Sequence, residues 1–338
     1  MQRVILLLLF SATVCSAAPK RVWIDTDPSA IPGGHEVDDA LALLQAFGSP
    51  ELSIRGVSIV FGNADLATTT RVGSQIVHEF GPQVLRVFPG ASSAADLGRE
   101  TEASRALAEA LVHERLTILA IGPATNVATV VKNHPELAAR IREIIAVAAR
   151  RPSQHFISAP NQTSPFRDLN FESDAEAFRI LLASKIPLTF TPWEISSKVW
   201  LSRVDIQELA EHQLKFASLL PAIDDWLDHW EKNFGSPGFN PFDTLAVGYM
   251  VDRSDLTCSL MNAAIEKGAD DTSSLAPPPS KPYLIVRPPA RGGRRVRYCY
   301  SAAPGFKKDF LRRIAAGSRA HEPTSLWRQP VPGEGLRQ

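Results

Sequence analysis

Short apolar runs alternate with longer stretches of helical period from residue 21 to about residue 250. The runs at 21–26, 52–61, 84–88, 116–121, 144–148 and 187–191 are rich in Val, Ile, Leu and Phe and read as buried strands. Between and after them, 38–48, 65–80, 102–113, 124–133, 174–184 and 213–232 predict helices. In the first of these, Ala40, Leu41, Leu43, Leu44 and Phe47 recur at helical spacing. This alternation predicts an α/β fold with a mostly parallel open sheet flanked by helices. The pattern changes near residue 270, where Pro, Gly and Ser accumulate around two short β-like runs, 283–287 and 296–301. These predict a small antiparallel hairpin at the sheet edge near the C-terminus, followed by a last helix over about 305–316. The final stretch, 319–338, carries little apolar pattern and reads as a disordered tail.

The N-terminus follows a different logic. Arg3 precedes an apolar stretch, 4–10, too short to span a bilayer, and 11–18 is small and polar. This predicts a signal peptide over 1–18, cleaved after Ala17 or Ala18, and an exported chain, periplasmic or extracellular. Ala12-Thr13-Val14 is a poor lipobox before Cys15. The whole sequence is 44% hydrophobic, the part past the signal is long enough for one large core or two domains, and no repeat or composition shift marks a boundary, so 19–318 reads as one domain. Lys plus Arg (36) equals Asp plus Glu (36), so nothing points to nucleic acid or an anionic membrane. Past the signal two cysteines remain, Cys258 and Cys299, and both one disulfide and two free thiols stay open.

The chemistry concentrates where the first strand ends and the first helix begins. Asp25-Thr26-Asp27-Pro28 closes the strand and Asp38-Asp39-Ala40 opens the helix, with a loop, 29–37, between them. In an open α/β sheet, ligands bind at such a junction. Clustered carboxylates call for a neutralising cation, and all-oxygen donors favour Ca²⁺ or Mg²⁺. The plainer alternative is a solvated acidic loop in which Asp38 or Asp39 caps the helix. Four further segments sit where the acids can use them: Ile59-Val60-Phe61-Gly62-Asn63, Gly122-Pro123-Ala124-Thr125-Asn126, Arg167-Asp168-Leu169-Asn170, and Asp243-Thr244-Leu245-Ala246-Val247. Singly, each reads as an ordinary turn or cap.

Together, and in this order, the five elements resemble those of the inosine-uridine-preferring nucleoside hydrolase family, over roughly residues 20–315. The resemblance implies that family's fold and a Ca²⁺ held by Asp27, Asp39, Asp243 and the backbone carbonyl of Thr125. It implies Asp27 as the general base for a water that attacks the anomeric carbon. It places Asp38, Asn161, Asp168 and Asn170 on the ribose hydroxyls and Asn63 in the pocket's inner wall. The expected reaction is Ca²⁺-dependent hydrolysis of the N-glycosidic bond of a ribonucleoside, with purines slightly favoured. The expected partner is that small molecule, with homo-oligomerisation common in the family. Anionic oxygens near the sugar suit an oxocarbenium-like transition state.

Several positions depart from the family pattern. The loop 29–37 is longer than the family's tight turn and either covers the pocket or bulges outward; His35 is the titratable base considered within it. Phe242 stands where the family often has a His able to protonate the departing base. Trp226 and Trp230, at i and i+4, either stack on a purine or belong to the core. Asp168 replaces a Glu, and one extra residue near Asn161 leaves Gln162 as an alternative ribose ligand. Two rivals follow from this: a phosphatase opening on Asp-x-Asp, for which no matching Lys motif is present, and a secreted Ca²⁺-dependent sugar-binding protein that has lost turnover.

Overall fold

A computed structural model of the chain describes residues 18–212 and 214–319. The expected signal peptide and C-terminal tail lie outside these residues, apart from Ala18 and Arg319. The first half runs β1 (Lys20–Thr26), α1 (Asp38–Phe47), β2 (Leu52–Ile59), α2 (Leu66–Phe80), β3 (Val87–Pro89), α3 (Glu102–His113), β4 (Leu116–Ala120), α4 (Thr125–Asn133) and β5 (Ile141–Ala146). Then come α5 (Leu169–Ser173), α6 (Ala175–Ala183), β6 (Leu188–Phe190), α7 (Trp193–Ser196), β7 (Leu201–Ser202), α8 (Arg203–His212), α9 (Leu220–Phe234) and β8 (Gly238–Phe239). The chain continues with α10 (Thr244–Val251), β9 (Leu256–Ala269), β10 (Ser280–Arg287), β11 (Arg294–Ala302) and α11 (Phe306–Gly317).

Nine strands form one mixed sheet in the order β10-β9-β11-β6-β5-β4-β1-β2-β3, and β7 pairs with β8 in a separate antiparallel ribbon. From β3 to β6 the strands are parallel. Such strands are covered on both faces, which is why β1 reads as a continuous apolar run. Its residues alternate between two cores: Val22 and Ile24 pack with α1, α2, α9, α10 and α11, while Trp23 packs with α3, α4 and α6. The chain leaves β1 toward β2 and β3 on one side, then returns to build β4, β5 and β6 on the other. The carboxyl ends of β1 and β4 therefore flank a topological switch point, where a crevice opens.

The antiparallel edge differs from the expected hairpin. The runs at 283–287 and 296–301 lie in β10 and β11, but they do not pair with each other. The 14-residue β9 lies between them and pairs antiparallel with both, while β11 runs parallel to β6. Only Leu256, Met261 and Ala263 of β9 are buried, and Asn262, Glu266, Lys267 and Gly268 interrupt any apolar period, so its sequence carries little strand signal. The single helix expected over 213–232 is also divided. Its first part is a short 3-10 turn, Leu214–Ser218, and α9 begins separately with Pro221 in its first turn, where proline is tolerated as it is not in a helix interior. Cys258 and Cys299 are register partners on β9 and β11 and form a disulfide. Among the described residues no helix is long and apolar enough to cross a membrane.

Candidate active site

Five of the acids at the switch point are deeply set, and each has a distinct place. Asp25 faces into the sheet, where it accepts hydrogen bonds from the Ser58 hydroxyl and from Asn126 Nδ2 (2.9 Å), and burial pushes its carboxyl up to about 7. It ties β1 to β2 and α4 and contributes no surface to the cavity. Asp27, two residues on, has Oδ2 bound by the Asn63 backbone N–H (2.8 Å), while its buried Oδ1 has no partner. Two glycines make room for this carboxylate. A Cβ on Gly62 would lie 2.0 Å from Oδ2, and one on Gly122 would lie 2.7 Å from Oδ1.

Asp39 accepts the Thr26 hydroxyl and the Asp27 backbone N–H (3.1 Å) on Oδ1, and Asn63 Nδ2 (3.0 Å) on Oδ2. Asn63 thus joins Asp27 to Asp39 through its backbone and its side chain. Asp38 and Asp39 form the first turn of α1, where the helix dipole favours negative charge, and Asp243 stands directly before α10. Oxygens of Asp38, Asp39 and Asp243 lie within 4.8 Å of one another. Burial and then mutual repulsion push Asp27, Asp38 and Asp243 well above the usual carboxylate range. Burial likewise lifts Asp39, to about 6, against its hydrogen bonds to Thr26, Asp27 and Asn63.

A cavity of about 270 Å³ opens beside these acids. Asp38, Asn63 and Asp243 line one end. Asp168 and Asn170 line it too: Asp168 Oδ2 accepts the Ala149 N–H (2.9 Å), and burial pushes its carboxyl up to about 7 despite nearby Arg150. Asn170 commits its amide protons to the carbonyls of Ile121 (2.9 Å) and Val147 (3.2 Å), just past β4 and β5, which leaves its oxygen for a ligand. Trp226, Trp230 and Phe242 also line the cavity, so both indoles combine a core position with a ligand-facing one. Asp27, Asp39 and Thr125 lie outside that lining; Thr125 opens α4 with its hydroxyl donated to Asp174 (2.6 Å).

Asn161 is exposed beside Gly235, and Gln162 is spent on its own loop, accepting from Ser158 N–H and donating to the carbonyls of Phe156 and Ser164. Neither lines the cavity. His35 does not line it either, but its neighbour Glu36 does, a residue the sequence reading passed over. The loop 29–37 folds across toward α9: Asp225 accepts the backbone N–H groups of Gly33 (2.9 Å) and Gly34 (2.6 Å). Burial and then the charge of Asp39 push Glu36 up to about 7. Its place directly before Val37-Asp38-Asp39 was the available signal.

Residues 22–276 match the family described as inosine-uridine preferring nucleoside hydrolase. The chain belongs to that family. It is an N-ribohydrolase, cleaving the N-glycosidic bond of ribonucleosides, and enzymes of this family are metal-dependent. Uridine nucleosidase 1 of Arabidopsis thaliana is 26% identical over 239 residues, covering 62% of this chain and 67% of the relative. The non-specific ribonucleoside hydrolase RihC of Escherichia fergusonii is 23% identical over 279 residues, covering 75% and 86%. Among solved structures, a purine-preferring ribonucleoside hydrolase from Gardnerella vaginalis shares the fold with a TM-score of 0.73 at 18% identity, covering 88% of this chain and 99% of that one.

The site of this nucleoside hydrolase suits a hard divalent cation. All its donors are oxygens, and two of them, Asp27 Oδ1 and Asp38 Oδ1, are buried with no hydrogen-bond partner, a costly arrangement for a carboxylate without a counter-charge.

Proposed function

We propose that the metal is Ca²⁺, that purine ribonucleosides are hydrolysed in preference to pyrimidine ones, and that the enzyme works outside the cytoplasm. The observation that carries the metal assignment is the convergence of Asp38, Asp39 and Asp243 within 4.8 Å, with Asp27 joined to Asp39 by Asn63. Asp27, Asp39, Asp243 and the Thr125 carbonyl would hold the ion, with Asp38 offering a further carboxylate. When bound, Ca²⁺ supplies Lewis acidity toward a water and the ribose hydroxyls.

The remaining chemistry belongs to the chain. Asp27 accepts the proton of the attacking water through its unpartnered Oδ1. Asp38, Asp168 and the Asn170 oxygen hold the ribose hydroxyls, and a sugar lacking one strands a buried polar group, discriminating by about 10⁴-fold. Their negative charge faces the positive charge that develops on the sugar in the transition state. Trp226 and Trp230 offer ring surface broad enough for a bicyclic base, which supports the purine preference. The Cys258–Cys299 disulfide agrees with an oxidising compartment, as does the signal peptide expected over 1–18.

The test is a panel of purine and pyrimidine ribosides incubated with Ca²⁺ and assayed for reducing sugar. Release from inosine and guanosine above uridine and cytidine, abolished in Asp27→Ala, is the expected result. Equal release from all, or preference for uridine, overturns the purine assignment.

A further inference from the structure

The acids that line the cavity are carboxyls, Glu36 and Asp168 among them. Among the described residues no histidine, lysine, tyrosine or cysteine lines it, and Phe242 fills the position beside Asp243. Of the imidazoles nearby, His35 belongs to the loop 29–37 without lining the cavity, and His229 stacks on Trp226 at 4.9 Å while its Nδ1 meets Asn233. The cavity presents π surface and negative charge instead. Phe166 sits 5.4 Å from Trp230 and 6.4 Å edge-on from Phe242, and Trp226 continues the same wall. Glu36 faces this cavity from the loop that Asp225 ties to α9. Four carboxyl groups line this cavity (Glu36, Asp38, Asp168 and Asp243), and Asn63 joins those of Asp27 and Asp39 to its wall. Among the described residues Arg167 supplies the guanidinium in the lining and is paired with Glu172 at 3.2 Å, while Arg150, beside Asp168, lies 3.9 Å over the Phe156 ring. An aromatic wall with carboxyl groups at its rim attracts a cation.

We propose that the nucleoside this cavity selects already carries a positive charge on its base, as in an N7-alkylated purine or an N-ribosyl pyridinium. The proposal rests on the reading that the cavity takes a ribonucleoside. A neutral base departs as an anion and needs a proton from an acid; a cationic base does not. When its bond to the anomeric carbon breaks, the electron pair neutralises the base. The water oxygen bonds to the sugar, and the water's proton passes to Asp27 and then to solvent. One nucleoside cation and one water give a neutral base, ribose and one proton. The missing histidine at Phe242 is then no defect, and Glu36 sets the charge preference from across the aromatic wall.

The experiment pairs turnover with a binding readout on the Ca²⁺-loaded full-length mature protein. Binding is followed by quenching of tryptophan fluorescence with the N-methyl cation of nicotinamide against neutral nicotinamide. The cation is expected to bind about tenfold tighter or better, with that margin shrinking in Glu36→Gln. Turnover is compared for N7-methylguanosine against guanosine, each corrected for its uncatalysed rate. A kcat/KM higher for the methylated nucleoside, and reduced more than that of guanosine by Glu36→Gln, is expected. Equal binding of the two nicotinamides, or corrected rates that favour guanosine, overturns the proposal. So does a Glu36→Gln loss that falls mainly on guanosine, which would make Glu36 a proton donor to neutral bases. Tight cation binding with no ribose released from any nucleoside would instead overturn the hydrolytic reading and leave the charge preference standing.

Discussion

Asp243 meets Asp38 and Asp39 from the N-terminal end of α10, the one acid of the three that α1 does not supply. Asp243→Ala is expected to abolish ribose release and calorimetric Ca²⁺ binding together while far-UV circular dichroism stays native. Asp168 allows a separate test of burial. Its carboxyl is pushed from 3.8 to about 7, so folding favours the protonated form. Its contribution to stability is therefore fullest below pH 4 and is lost as the pH rises through about 7. Asp168→Asn should raise Tm relative to wild type by an amount that grows between pH 4 and pH 7 and then levels off; a gain independent of pH would contradict this. Single residues were legible in the sequence where a motif fixed their neighbours. Asp27, Asp39 and Asp243 come together as their flanking motifs imply, whereas Asn161, beyond an inserted residue, faces solvent. Glu36 carries only its position before Val37-Asp38-Asp39 as a signal, which does not by itself separate a pocket-lining glutamate from an exposed one.

At the scale of elements, the loop 29–37 and α9 work as one piece. The Asp225 carboxylate holds two successive backbone N–H groups of the loop, which keeps Glu36 at the cavity. Asp225→Ala is expected to speed hydrogen exchange at Gly33 and Gly34 and to lower kcat/KM severalfold, mainly through KM, because the wall loosens while the acids of α1 and α10 stay in place. Unchanged exchange would show that the loop is held by other contacts. Strands with both faces buried announce themselves as apolar runs, and β1, β2 and β4 appear within two residues of where the pattern puts them. The strand β9 did not, since a strand half in solvent carries polar residues among its apolar ones and so breaks the pattern.

Across the whole molecule, the switch between β1 and β4 gathers acids from loops far apart in sequence, and the disulfide secures the opposite edge of the sheet. The bridge closes a separation of 41 residues away from the acids, so Cys258→Ser with Cys299→Ser should cost about 2–4 kcal/mol of stability while leaving kcat at 25 °C unchanged. The metal couples to stability differently. Buried carboxylates that repel one another in its absence should make chelation lower Tm, and readdition should restore it in proportion to the logarithm of free ion. The most direct measurement is a Ca²⁺ titration of the chelated enzyme, with heat of binding and ribose release from inosine recorded on the same samples. One ion per chain, activity rising in step with occupancy, and loss of both in Asp39→Asn are predicted. Undiminished ribose release in excess chelator would contradict a metal-dependent active site built on these acids.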